Sequence, residues 1–286
     1  MTIRRIWSPA HNLALPIGGR TRPKARSLVQ IGDFLKKGQK DAPVVCLPDA
    51  PPGLDLSPLA IPSLRNMYLN DKYGCCVPAG SLHVRGVTSG NAGGSTDACV
   101  TFTDPQVEAL YRQMNGNFDP ADPSTDTGCD EQTAFRTLMS QGFPDGVKLV
   151  GFAGINGADP VLVRKVLYAF ENVIYGVELA NKWITPFPSR DGYVWGAGSG
   201  ETPVPTNGHC FPGYGYDAQG VKIVSWAELG TITDEANAEF TTEAAGGEMY
   251  VLFLPDTIAK AAAKSPDHFA YDDLANALSA LQAVAS

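Results

Sequence analysis

Asn70-Asp-Lys-Tyr-Gly-Cys-Cys-Val-Pro-Ala79 is the stretch on which the reading of this chain turns. Pro78 is tolerated only in the first turn of a helix, since further in it would remove a hydrogen bond and clash, at about 3 kcal/mol. A helix over 76–88 beginning near Cys76 is therefore predicted. A thiol at that point faces unpaired backbone N–H groups and the positive end of the helix dipole, and both stabilise a thiolate. The competing reading of any single cysteine is a buried structural thiol. What lifts Cys76 above it is a base elsewhere: His209 opens a predicted strand in Gly208-His-Cys210, and an imidazole there can form a thiolate–imidazolium pair with Cys76.

Working outward, other chemistries fall away. The 286 residues contain no G-x-x-x-x-G-K-[ST], no G-x-S-x-G and no H-E-x-x-H. None of the six cysteines (Cys46, Cys75, Cys76, Cys99, Cys129, Cys210) forms a C-x-x-C pair, and zinc spacing is missing. Asp119, Asp122, Asp126 and Asp130 lack EF-hand spacing and read as a solvated acidic loop. No metal and no organic cofactor is expected. With 44% hydrophobic and 18% charged residues, the composition excludes a coiled coil, a collagen-like repeat and a disordered chain. No run reaches the ~18 apolar residues of a membrane span, and Met-Thr-Ile-Arg-Arg5 is not followed by the apolar stretch of a signal peptide. The expectation is a soluble, cytoplasmic protein with free thiols.

Charge is unevenly spread. Residues 1–40 hold nine Lys/Arg against Asp33 alone, leaving 13 basic and 29 acidic side chains for the rest. Such an arm implies contact with an acidic surface, either a neighbouring subunit or its own body. Nucleic acid is not expected, because no recognition motif or aromatic interleaving accompanies the charge. Six prolines between Pro43 and Pro62 make that stretch extended.

The organisation that follows is a basic, Pro-rich arm over 1–50, a domain over 51–256, and a helical tail over 257–286 that includes Leu274, Leu278 and Leu281. Helices are predicted after Thr103, which opens a capping box with Gln106, after Asp130, and after Asp159. Strands are predicted at 147–152, 173–179, 209–216, 221–226 and 248–254, with a long loop over 181–207 carrying Trp183 and Trp195. Asp217-Ala-Gln-Gly220 makes a hairpin of the third and fourth. Helices first and antiparallel strands later give an α+β fold. His83 and His268 read as surface or packing residues, and His11 has no nameable partner.

These features resemble the papain-like cysteine peptidases over roughly residues 58–254. The 133 residues from Cys76 to His209 fall in the ~130–150 range of that family. Asn70 stands where the family has a glutamine six residues before the nucleophile, and Gly74 where it has a glycine two before. Gly208-His-Cys-Phe-Pro-Gly-Tyr-Gly-Tyr-Asp217 resembles its Gly-His strand, Lys222-Ile-Val-Ser-Trp226 its Ser-Trp strand, and Gly128-Cys129 its Gly-Cys before a helix. The likeness is closer still to a divergent, mostly uncharacterised papain-fold group of bacteriophage and bacterial genomes. The resemblance implies two lobes, helical over about 58–145 and antiparallel, barrel-like over about 146–256, with an N-terminal extended arm. It implies Cys76 as nucleophile, His209 as acid–base and Asn70 in the oxyanion hole, with Trp226 shielding the histidine. The family's orienting Asn falls on Val224, so Ser225, a backbone carbonyl or a water takes its place. A Cys75–Cys129 disulfide is a further implication, at an offset that does not match. Trp183 and Trp195 either line the substrate cleft or pin the loop.

The function implied is cleavage of a peptide or isopeptide amide in a peptide or protein substrate. The alternative is a papain-fold protein without catalysis, serving as a structural or interaction module, such as a virion component that assembles through its arm. A third reading makes the arm a prosegment that crosses the cleft.

Overall fold

The computed structural model describes residues 3–23, 29–32, 47–188, 190–198 and 200–264. The leucines at 274, 278 and 281, together with His268 and Cys46, lie outside the described residues.

The central helix runs from Cys76 to Gly93, with Pro78 in its first turn, and 15 of its 18 residues are buried. It is rich in small residues because it is packed on all sides. Gly80 lies 3.2 Å, measured from an added Cβ, from Cys210 Sγ, and Gly90 faces the Leu59 carbonyl with no room for a side chain. Helices Asp104–Met114, Glu131–Ser140 and Pro160–Phe170 begin where their caps are. Gln106 accepts from the Thr103 N–H, Asp130 from Thr133, and Asp159 from Val161 and Leu162.

The main sheet has the order β4-β10-β5-β7-β8-β9-β6, with β3 (Leu54–Asp55) paired to β7. Here β4 is Gly151–Gly154, β5 Val173–Glu178, β6 Tyr193–Trp195, β7 Gly208–Tyr216, β8 Gly220–Ser225, β9 Glu228–Thr233 and β10 Glu248–Phe253. Every pairing is antiparallel except β6 with β9. The period of two divides the sheet between two cores. Ile174, Cys210 and Tyr250 join Cys76, Val77 and Leu82 on the helical side, whereas Tyr175, Val177 and Phe211 face Trp183, Trp195 and Trp226 on the other. The architecture is the expected two-lobed α+β fold.

Several expectations need correction. The strand expected at 147–152 begins only at Gly151, because Val147 closes a turn onto the Phe143 N–H and Leu149 bonds back to Leu138. The loop over 181–207 contains a short helix, Asn181–Ile184, and strand β6. Trp183 and Trp195 do not line a cleft. They stack on each other at 5.2 Å inside the core, Trp183 also on Phe240 and Trp195 edge-on to Phe211, and so pin the loop. β9 and the helix Asp234–Phe240 were not foreseen.

The arm also differs from a draped extension. Arg4–Ser8 (β1) and Leu13–Ile17 (β2) form a hairpin, and Leu15 and Ile17 are buried in the main core. Among the described residues no helix is long and apolar enough to cross a membrane.

Candidate active site

Cys76 is the first residue of the central helix and Cys75 its cap residue. The loop before them is fixed by Asp126, whose carboxylate accepts the Gly74 N–H at 3.0 and 3.1 Å and the Tyr111 hydroxyl at 2.7 Å. Asp122 and Asp130 cap local turns and helices. The acidic loop is therefore structural, and among the described residues no cluster of His, Cys, Asp and Glu is arranged to hold a metal. Asn70 is buried in the same turn, its N–H on the Met67 carbonyl.

The two adjacent cysteines point to different surroundings. Cys75 Sγ lies 3.4 Å from the Tyr68 carbonyl, within the helical lobe. The Cys76 end of the helix packs in one cluster with Cys210, the residue after His209, and the Cys210 backbone favours the thiolate form of Cys76. Burial nevertheless pushes the Cys76 thiol up to about 12. Cys75 and Cys129 are both free thiols, so the disulfide between them does not form; the offset noted in the sequence is the reason.

His209 is gripped from two sides. Its Nε2 is 2.9 Å from Ser225 Oγ, and Trp226 stacks on the ring at 4.0 Å and 14°. Val224, where the resemblance puts the orienting amide, faces the opposite side of β8 and packs with Leu56, Leu64 and Tyr214. One residue along the strand reverses the face, so Ser225 is the side chain that reaches the imidazole. Trp226 can stack because the β8–β9 turn places Trp226 and Ala227 at φ of 45° and 61°. His11, in the arm hairpin, donates to the Trp226 carbonyl at 2.9 Å. Burial lowers His209 to about 3. Among the described residues no hydrogen bond joins Cys76 to His209, and in this arrangement both are neutral.

The arm passes beside both groups. Leaving β2, the chain runs as Gly18-Gly-Arg-Thr21 between the lobes. The Gly208 carbonyl accepts from the Gly18 N–H at 3.1 Å and the Arg20 N–H at 3.4 Å. The Cys129 N–H donates to the Gly19 carbonyl and the Thr21 N–H to the Cys129 carbonyl, each at 3.1 Å. Gly19 passes so close to Gly74 that an added Cβ would stand 2.3 Å from the Gly74 carbonyl oxygen.

Two arm cations meet acids of the body. Arg20, 1% exposed, places Nε at 3.0 and 3.2 Å from the two oxygens of Glu131, itself fully buried, and Nη1 at 2.7 Å from the Gly246 carbonyl. Burial raises the Glu131 carboxyl, and the adjacent guanidinium opposes that rise. Arg22 Nε sits 2.5 Å from Glu178. Neither Glu131, Arg20 nor Asp126 was singled out as a site residue in the sequence; the charge imbalance of the arm was the one available signal. The acidic surface met by these cations is the chain's own.

No protein-family model matches the chain, and no curated protein sequence matches it. Solved structures do. Xylellain, a cysteine protease from Xylella fastidiosa, aligns over 87% of this chain and 97% of its own, with TM-score 0.52 and 12% identity. Digestive procathepsin L2 proteinase from Tenebrio molitor larval midgut aligns over 83% of this chain and 78% of its own, with TM-score 0.55 and 14% identity. At such identities the likeness speaks for architecture: the chain has the papain-like two-lobed fold.

Proposed function

We propose that this chain is a cysteine hydrolase acting on a peptide or isopeptide amide, with its own N-terminal arm in the substrate groove. The observation that carries the reading is the placement of His209, held by Ser225 and Trp226, on the strand whose next residue, Cys210, packs against the helix that Cys76 opens.

With the groove open to water, the desolvation that keeps both groups neutral falls away, and a proton passes from Cys76 to His209. The thiolate attacks the amide carbonyl carbon. The Cys76 N–H and the Asn70 amide donate to the resulting oxyanion. His209 protonates the leaving nitrogen as the C–N bond breaks, leaving a thioester on Cys76. Water then attacks the thioester, with His209 taking its proton, and the thiol is regenerated. Ser225 fixes the ring by its bond to Nε2, which leaves Nδ1 for the exchange with sulfur.

The arm as prosegment accounts for the neutral pair. A chain shortened to begin near residue 50 is expected to hydrolyse peptides that the full chain leaves intact, with the gain abolished by Cys76→Ala and retained in Cys75→Ala. No gain on shortening, in a chain that remains folded, would sink the prosegment. The rival reading, a non-catalytic papain-fold module such as a phage virion component, draws on the same neutral pair. Its sequence support is the Pro-rich basic arm and Val224 at the orienting position, and it predicts no hydrolysis in either form.

A further inference from the structure

We infer that the pocket closed by Arg20 is a guanidinium-selective substrate subsite built on Glu131, so that the peptides this groove takes carry an arginine side chain at that point. The inference rests on the hydrolase reading above and names its substrate class.

A carboxylate at full burial is costly without a cation, and the groove supplies one at Glu131, within the first turn of helix Glu131–Ser140, with the buried Glu248 carboxylate adding to the field on Arg20. Whatever occupies the pocket has to bring a cation. The acceptors are spread as a fork: two Glu131 oxygens meet Nε, while the Gly246 carbonyl meets Nη1 from another side. A guanidinium satisfies them together; an ammonium is a single point charge on a flexible stem and cannot reach both with the same fit. Gly176 forms one wall, and a Cβ there would lie 2.1 Å from Glu131 Oε1 and 2.8 Å from Arg20 Nε. The absence of that side chain is what makes room for the fork.

The backbone around Arg20 argues for a substrate pocket rather than an anchor remote from the chemistry. Arg20 donates its N–H to the Gly208 carbonyl, and its neighbours Gly19 and Thr21 bond the N–H and carbonyl of Cys129, groups that any extended peptide can use. Gly208 precedes His209, Cys210 packs against the helix that Cys76 opens, and the charges of Arg20 and Glu131 both act on Cys76. The pocket therefore opens beside the reacting atoms, and Arg20 fills it as a substrate side chain would.

The test uses the full chain with Arg20→Ala, whose thermal unfolding is followed during titration with methylguanidinium at low millimolar concentration. The expected result is a saturable rise in Tm of several degrees that methylammonium does not match. Wild type and the Arg20→Ala/Glu131→Gln double variant should not respond. If Arg20→Ala does not fold unaided, the yield recovered on refolding with and without methylguanidinium replaces Tm as the readout. A response in Arg20→Ala no greater than in the double variant overturns the subsite. The chain shortened to begin near residue 50, with and without Glu131→Gln, is then offered a mixed peptide library. Cleavage that prefers arginine, with the preference lost in Glu131→Gln, supports the inference, and cleavage indifferent to basic residues overturns it. If no peptide is cleaved, the hydrolase reading fails, and the methylguanidinium titration alone decides whether the pocket selects a guanidinium.

Discussion

At the residue scale, His209 depends on one hydroxyl. The Ser225 Oγ contact at 2.9 Å fixes which ring nitrogen is engaged. Ser225→Ala is expected to lower kcat by about 100-fold in an arm-displaced chain, with KM little changed, since a misoriented imidazole impairs proton transfer and leaves binding intact. Equal effects on kcat and KM would count against that role. The burial of His209 also has a stability consequence. Its folded pKa of about 3 lies below the ordinary 6.5, so between those values the unfolded chain binds more protons. The stability present above pH ~6.5 is then lost as pH falls, by about 1.4 kcal/mol per unit for one such group. His83, buried in the helical lobe and also lowered to about 3, adds to the same trend. Unfolding at pH 4.5 is expected to need clearly less denaturant than at pH 7, and His209→Gln should flatten that dependence. Cys76, His209, Ser225 and Trp226 were legible because local signals mark them: a proline in a first turn, a Gly-His strand, a Ser-Trp pair. Glu131 was not, since its partner Arg20 is 111 residues away and only the folded chain joins them.

At the element scale, the capped helices were legible within a residue or two, because caps are chemistry between neighbours. β6 has three residues and owes its existence to the parallel pairing with β9, so no pattern within it could announce it. The hairpin of the arm was hidden for a related reason. Pro16 and exposed Arg4 and Arg5 mask its alternation, and Leu15 and Ile17 are strand residues because they are buried against the body. The loop that sets Cys76 is held by an element far along the chain: Asp126→Ala takes the charged acceptor from two donors, the Gly74 N–H and the Tyr111 hydroxyl, and should cost about 3 kcal/mol in a denaturant titration. A loss below about 0.5 kcal/mol would mean that this loop holds itself.

At the scale of the whole molecule, the arm and the body form one electrostatic and steric unit. The arm carries nine cations against the single acid Asp33 over residues 1–40, and the body buries Glu131 and Glu178 where Arg20 and Arg22 arrive. The sequence already contained the imbalance; that the acidic surface lies in the groove beside Cys76 required the fold. Gly19 is the tightest point of the passage, so Gly19→Val in the full chain should push the arm out against the Gly74 carbonyl without touching the nucleophile.

The most direct measurement is the pH dependence of iodoacetamide alkylation at each cysteine, read by peptide mass spectrometry, in wild type and in Gly19→Val. The account predicts that Cys76 is slow in wild type, and that in Gly19→Val it alone reacts quickly well below the ~8.5 of a free thiol. Cys76 remaining as inert as Cys75, Cys129 and Cys210 in a folded Gly19→Val chain would contradict it.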